Sequence, residues 1–86
     1  MSAMTFLVNP PMAIEIETDA GGVPRHMSGE PLVGPVQPVQ HWLAEVDWWN
    51  QPVRREYWNV LLRGHLMCEI YRDLEQEAWF LQQVHD

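Results

Sequence analysis

The sequence predicts a small single domain, mainly β, and three observations carry that expectation. Residues Ile14-Glu15-Ile16-Glu17-Thr18 alternate apolar and polar, the period-two pattern of a strand with one buried face. Turn signals built on glycine and proline recur at Asp19–Gly22, Ser28–Pro31 and Arg63-Gly64. Eight of the nine aromatic residues lie after position 41, and five of the nine are tryptophans. Each tryptophan can bury roughly 150–250 Å² and needs a partner for its ring N–H when enclosed, so the second half holds most of the core. With 86 residues, 47% of them apolar, the chain has room for one core and one domain.

Taken in order, residues 1–11 read as a flexible N-terminal tail closed by Pro10-Pro11, because tandem proline neither continues a helix nor donates to a ladder. The single β-rich domain is then expected over 12–86. A first hairpin spans about 12–28, with Asp19-Ala20-Gly21-Gly22 as its turn and a second extended segment from Val23 to about Met27. Residues 32–39 carry Pro35 and Pro38, three apart, which fit an edge strand or an extended connector. Together with Pro31 they look like devices against edge pairing. Residues 40–52 are less regular, with Trp48 beside Trp49 and Pro52 closing the segment.

The last third supports two readings. Leu66, Ile70, Leu74, Ala78 and Leu81 recur at helical spacing, which predicts a C-terminal helix at about 65–83 and an α+β fold. The competing reading is an antiparallel three-stranded meander. In it Trp58, Val60 and Leu62 share one face, Arg63-Gly64 turns the chain, Leu66, Cys68 and Ile70 point inward, and Trp79–Val84 forms the last strand.

Charge narrows the function. Twelve carboxylates face five arginines with no lysine, a formal net charge of −7, and neither half of the chain is basic. Nucleic-acid affinity comes largely from cations on phosphates, so direct DNA or RNA binding is not expected. Cys68 is the lone cysteine, which rules out an internal disulfide; it reads as a small buried hydrophobe rather than a thiol activated by His65. His26, His41, His65 and His85 lack metal-ligand spacing, and the Glu15/Glu17 and Glu75/Glu77 pairs read as solvated faces, so no metal, cofactor or acid–base site is expected. With no phosphate loop or nucleophile elbow, the chain does not read as an enzyme. It has no secretory signal and no apolar stretch near the ~20 residues of a membrane helix, so a cytoplasmic protein is expected.

The arginines and aromatics are more informative. Arg54-Arg55 follows Trp48-Trp49, Tyr57 stands two residues on, and Arg72 lies beside Tyr71 and Asp73. Arginine stacks on rings and forks onto carboxylates, so this grouping serves either internal ion pairs or a recognition surface. The candidate partner-binding set is therefore Trp48, Trp49, Arg54, Arg55, Tyr57 and Arg72.

Trp48-Trp49, then Pro52-Val-Arg-Arg-Glu-Tyr-Trp-Asn-Val60, Tyr71-Arg-Asp-Leu74, Trp79-Phe-Leu81 and Val84-His-Asp86 resemble a small bacterial domain family. A related segment closes ImuB-type proteins, the inactive Y-family polymerase relatives of the bacterial mutagenesis cassette. Ile14–Ile16, Asp19, Gly22 and Pro24 match its opening hairpin more loosely. Two features depart from that pattern. Glu75-Gln76-Glu77-Ala78 stands where members carry a turn glycine, and Arg25-His26-Met27 replaces a more basic segment. The resemblance implies the antiparallel β reading and no catalytic residues. It also implies an interaction module beside DNA repair and translesion synthesis, contacting a polymerase or an ImuB-type scaffold. Two alternatives stand next to it: a module binding a small ligand or single strand by aromatic stacking, and a structural homodimer.

Overall fold

The computed structural model of the chain describes residues 5–48 and 51–85. Six strands account for most of them: β1 (Thr5–Thr18), β2 (Pro24–Gly29), β3 (Leu32–Trp48), β4 (Gln51–Leu62), β5 (Leu66–Asp73) and β6 (Ala78–His85). Each strand runs antiparallel to the next, and β6 returns to β1, so the meander closes into a barrel. No described residue is helical. The stretch 65–83 is therefore strand, turn and strand. Its helical stripe is broken where Leu74 enters the β5–β6 turn.

Two long strands make closure feasible for so short a chain. β1 pairs with β6 as far as Ile14 and with β2 from Glu15 onward. β3 pairs with β2 over Leu32–Pro35 and with β4 from Val36. Each thus passes from one neighbour to another along its length, turning the corner of the barrel. The expected tail needs correction here, because Thr5, Phe6 and Leu7 already face His85, Val84 and Gln83 of β6. Pro10-Pro11 does not end the structure. Both prolines fall in the irregularity between Leu7 and Met12, where their missing N–H groups cost no regular pairing. The expected edge strand is the start of the 17-residue β3, paired on one side only beyond Pro35. Pro38 stands beside the register shift that leaves Val39 as the extra residue, 59% exposed.

Side chains form the turns. Asp19 Oδ1 accepts from the N–H groups of Gly21 (2.8 Å) and Val23 (3.0 Å), while Oδ2 takes a two-pronged contact from Arg25 Nε and Nη2. Those bonds, the Val23 amide foremost, hold its carboxyl below the usual range. The β4–β5 hairpin turns through Arg63 (φ 54°) and Gly64 (φ 77°), with His65 N–H donating to Leu62 O at 3.1 Å. Between β5 and β6, Asp73 Oδ1 accepts from Glu75 and Gln76 N–H, and Glu77 takes the left-handed conformation (φ 55°). Glu77 takes a backbone conformation that glycine adopts more readily.

The core is built on Ile14, Met27, Val36, Trp58, Val60, Leu62, Cys68, Ile70 and Leu81. The alternation along β4 and β5 buries Trp58, Val60 and Leu62 opposite Ile70, Cys68 and Leu66. Gly29 lets Ile14 approach closely, since a Cβ there would collide with the Ile14 side chain. Trp58 lies within the core and Trp79 packs against it, whereas Trp42 joins a separate aromatic cluster on the outer face. No helix among the described residues is long and apolar enough to cross a membrane.

Candidate functional site

Antiparallel register decides which outward side chains meet. Trp42 of β3 lies opposite Tyr57 of β4, Tyr57 opposite Tyr71 of β5, and Tyr71 opposite Phe80 of β6. Because core residues take the alternate positions on β4 and β5, these four project from the outer face and form one row across four strands. The Trp42 and Tyr57 rings lie parallel, 5.3 Å apart with 4° between planes. Tyr57–Tyr71 and Tyr71–Phe80 are each 5.2 Å apart, tilted by 41° and 26°. Such cross-strand pairs stabilise a sheet by about 0.2–1 kcal/mol each.

Arg55 organises the middle of the row. Its guanidinium carbon stands 4.5 Å from the Tyr71 ring centre, and Nη1 donates to the Tyr57 hydroxyl at 3.3 Å. That hydrogen bond raises the arginine pKa further, so the group is a permanent cation. Tyr71 is left only 4% exposed although it faces outward, and burial pushes its hydroxyl pKa up.

The row ends at an unpaired edge. Beyond Pro35, β3 has β4 on one side, and no described strand pairs with the other. Along that edge Leu43 is 62% exposed. Pairing between β3 and β4 continues to Trp48 and Gln51, past the last β4–β5 pair at Arg55 and Asp73, so the tip of this hairpin projects from the barrel. On the opposite face of the same hairpin, His41 stacks on Trp58 at 4.0 Å, and its Nε2 lies 2.9 Å from Glu56 Oε2. Trp58 Nε1 is buried with no hydrogen-bond partner among the described residues.

Of the expected site residues, Arg55 and Tyr57 come together within the row. Arg54 is on the other face, 3.7 Å from Glu45 in an exposed pair of small energetic weight. Arg72 is opposite Glu56 and Trp79, away from Tyr71, and forms no ion pair among the described residues. Trp49 and the Trp48 side chain lie outside the described residues. Trp42, Tyr71 and Phe80 were not anticipated. The turns give the missing signal, since Tyr57 and Tyr71 are equidistant from Gly64.

The remaining chemistry-bearing groups stay apart. Cys68 is fully buried and burial pushes its thiol up to about 11, while His65 sits exposed in the turn with Nδ1 3.2 Å from Arg63 O. Glu15, Glu17, Glu75 and Glu77 are all exposed. Among the described residues no group of three or more His, Cys, Asp or Glu side chains could hold a metal ion. The fold defines a six-stranded antiparallel meander barrel with an outer aromatic row. No family model, curated protein or solved structure matches the chain.

Proposed function

We propose that this chain is a non-catalytic protein-interaction module whose contact face is the outer aromatic row together with the free edge of β3. The carrying observation is the end of the row: Trp42, stacked on Tyr57, stands on an unpaired strand edge whose opposite face carries the exposed Leu43. Tryptophan, tyrosine and arginine are the residues that concentrate binding energy in protein interfaces. An unpaired strand adds main-chain hydrogen bonds that an extended partner can use. A base-stacking module fits less well. The inner rings already have neighbours on both sides, and twelve carboxylates surround only five arginines.

The sequence resemblance extends this reading to an accessory role beside translesion synthesis, with a polymerase or ImuB-type scaffold as partner. Affinity capture from DNA-damaged cells tests it, using the wild-type chain against Trp42→Ala. The expected result is recovery of a replication or repair protein by the wild type and loss of it with the variant. Recovery of no such protein removes the repair role. Equal recovery by both chains removes the proposed face.

A further inference from the structure

We propose that the free edge of β3, over residues 41–45, pairs antiparallel with the same edge of a second copy about a two-fold axis at Leu43. The proposal rests on the interaction reading above and assigns the partner. Native barrels usually blunt an open edge with proline, lysine or an inward-pointing charge. The free side of β1 follows that rule through Pro10-Pro11. The β3 edge is less protected. Beyond Pro38 it has no proline or lysine, its one charge over 41–45 is Glu45, and it displays Val39 and Leu43, which are 59% and 62% exposed.

Side-chain order along this edge is self-complementary about Leu43. Antiparallel pairing centred there sets Leu43 against Leu43, Trp42 against the small Ala44 of the second copy, and His41 against its Glu45. Apolar meets apolar once, on the axis, while large meets small and an imidazole meets a carboxylate twice each by symmetry. Over the same stretch, centring on Trp42 instead would oppose His41 to Leu43, a polar group against an apolar one. The Leu43-centred contact is isologous, so each copy consumes the other's open edge and assembly stops at two. It also covers the side of the Trp42 ring that Tyr57 leaves free.

Charge gives this partner a signature. Each copy carries a formal charge of −7, so long-range repulsion opposes pairing and added salt strengthens it. A basic extended peptide on the same edge would bind more weakly as salt rises.

The test is sedimentation of the full chain across concentration at low and high salt, with Leu43→Lys alongside. The expected result is a monomer–dimer equilibrium that shifts toward dimer with salt, weakened at least about tenfold by Leu43→Lys. Circular dichroism should be unchanged, because Leu43 is exposed. A second variant, Leu43→Cys, should form a disulfide-linked dimer under mild oxidation far faster than Glu75→Cys, the native Cys68 being buried in both. A monomer under all salt conditions, or equal cross-linking of the two cysteine variants, overturns the proposal. If the wild type is monomeric yet Leu43→Lys abolishes capture of a cellular partner, the self-pairing falls and the interaction face stands. If capture is also unaffected, both fall.

Discussion

Cys68 has its sulfur enclosed by the core, and its weak contact to the Leu66 carbonyl at 3.9 Å does nothing to favour the thiolate. Desolvation raises its pKa from 9.0 to about 11, which makes the thiol inert in the folded chain and ties stability to alkaline pH. Because the folded value is the higher one, the contribution is complete below the unfolded pKa and is lost as pH rises toward the folded value. We therefore predict that raising pH from about 8 to about 10.5 costs the wild type about 2 kcal/mol more than it costs Cys68→Ala, measured by urea denaturation. A thiol reagent at neutral pH should label Cys68 only after unfolding. Asp19 gives the opposite dependence. Its folded pKa is depressed, so its contribution is present above the ordinary aspartate range and fades as pH falls through the folded value. Asp19→Asn should lower the denaturation midpoint at neutral pH, with the gap to wild type closing in strong acid.

Elements whose partners are close in sequence were the legible ones. The alternation at Ile14–Thr18 with Asp19–Gly22 gave the first hairpin, and Trp58, Val60 and Leu62 around Arg63-Gly64 gave the β4–β5 hairpin with its buried face. The β5–β6 connection was harder, because no glycine marked it. There Asp73 supplies the acceptor that organises the loop, and Glu77 bears the left-handed backbone. A non-glycine residue in that conformation costs roughly 1–2 kcal/mol, partly offset in a glycine by the greater freedom of its unfolded chain. Glu77→Gly should accordingly raise stability by up to about 1 kcal/mol. Gly64→Ala, at φ 77° in open space, should lower it by a similar amount. Equal midpoints for Glu77→Gly and wild type would contradict the assigned turn. The aromatic row belongs to this scale too. Tyr57, Tyr71 and Phe80 pair through successive tight turns, so their alignment follows once each turn is placed. Arg54 and Arg72 then fall on the opposite face from Arg55, a separation that adjacency in sequence conceals.

At the scale of the whole molecule, closure depends on pairings that no local pattern announces. β1 meets β6 across almost the entire chain, with Thr5 Oγ1 2.9 Å from His85 Nδ1, and β3 serves two partners in turn. This is why Pro10-Pro11 reads as a boundary in the sequence and is an irregularity inside a strand in the structure. Proline reports a missing donor and says nothing about the strand supplied from far away. A flexible tail and a closing strand predict different outcomes when residues 1–11 are deleted. A tail would leave stability unchanged. In the closed barrel, deletion strips the start of β1 from β6, uncovers the part of the core packed by Val8, and exposes the backbone of β6 as a new edge. Burial of one aliphatic side chain contributes about 1.5–3 kcal/mol, and in a domain of this size a loss of about 2 kcal/mol lowers Tm by roughly 10 °C. The truncated chain should therefore melt at least that much lower, and it should aggregate through its uncovered β6 edge. A melting curve that overlays the full-length chain would place residues 1–11 outside the barrel and leave its closure without support.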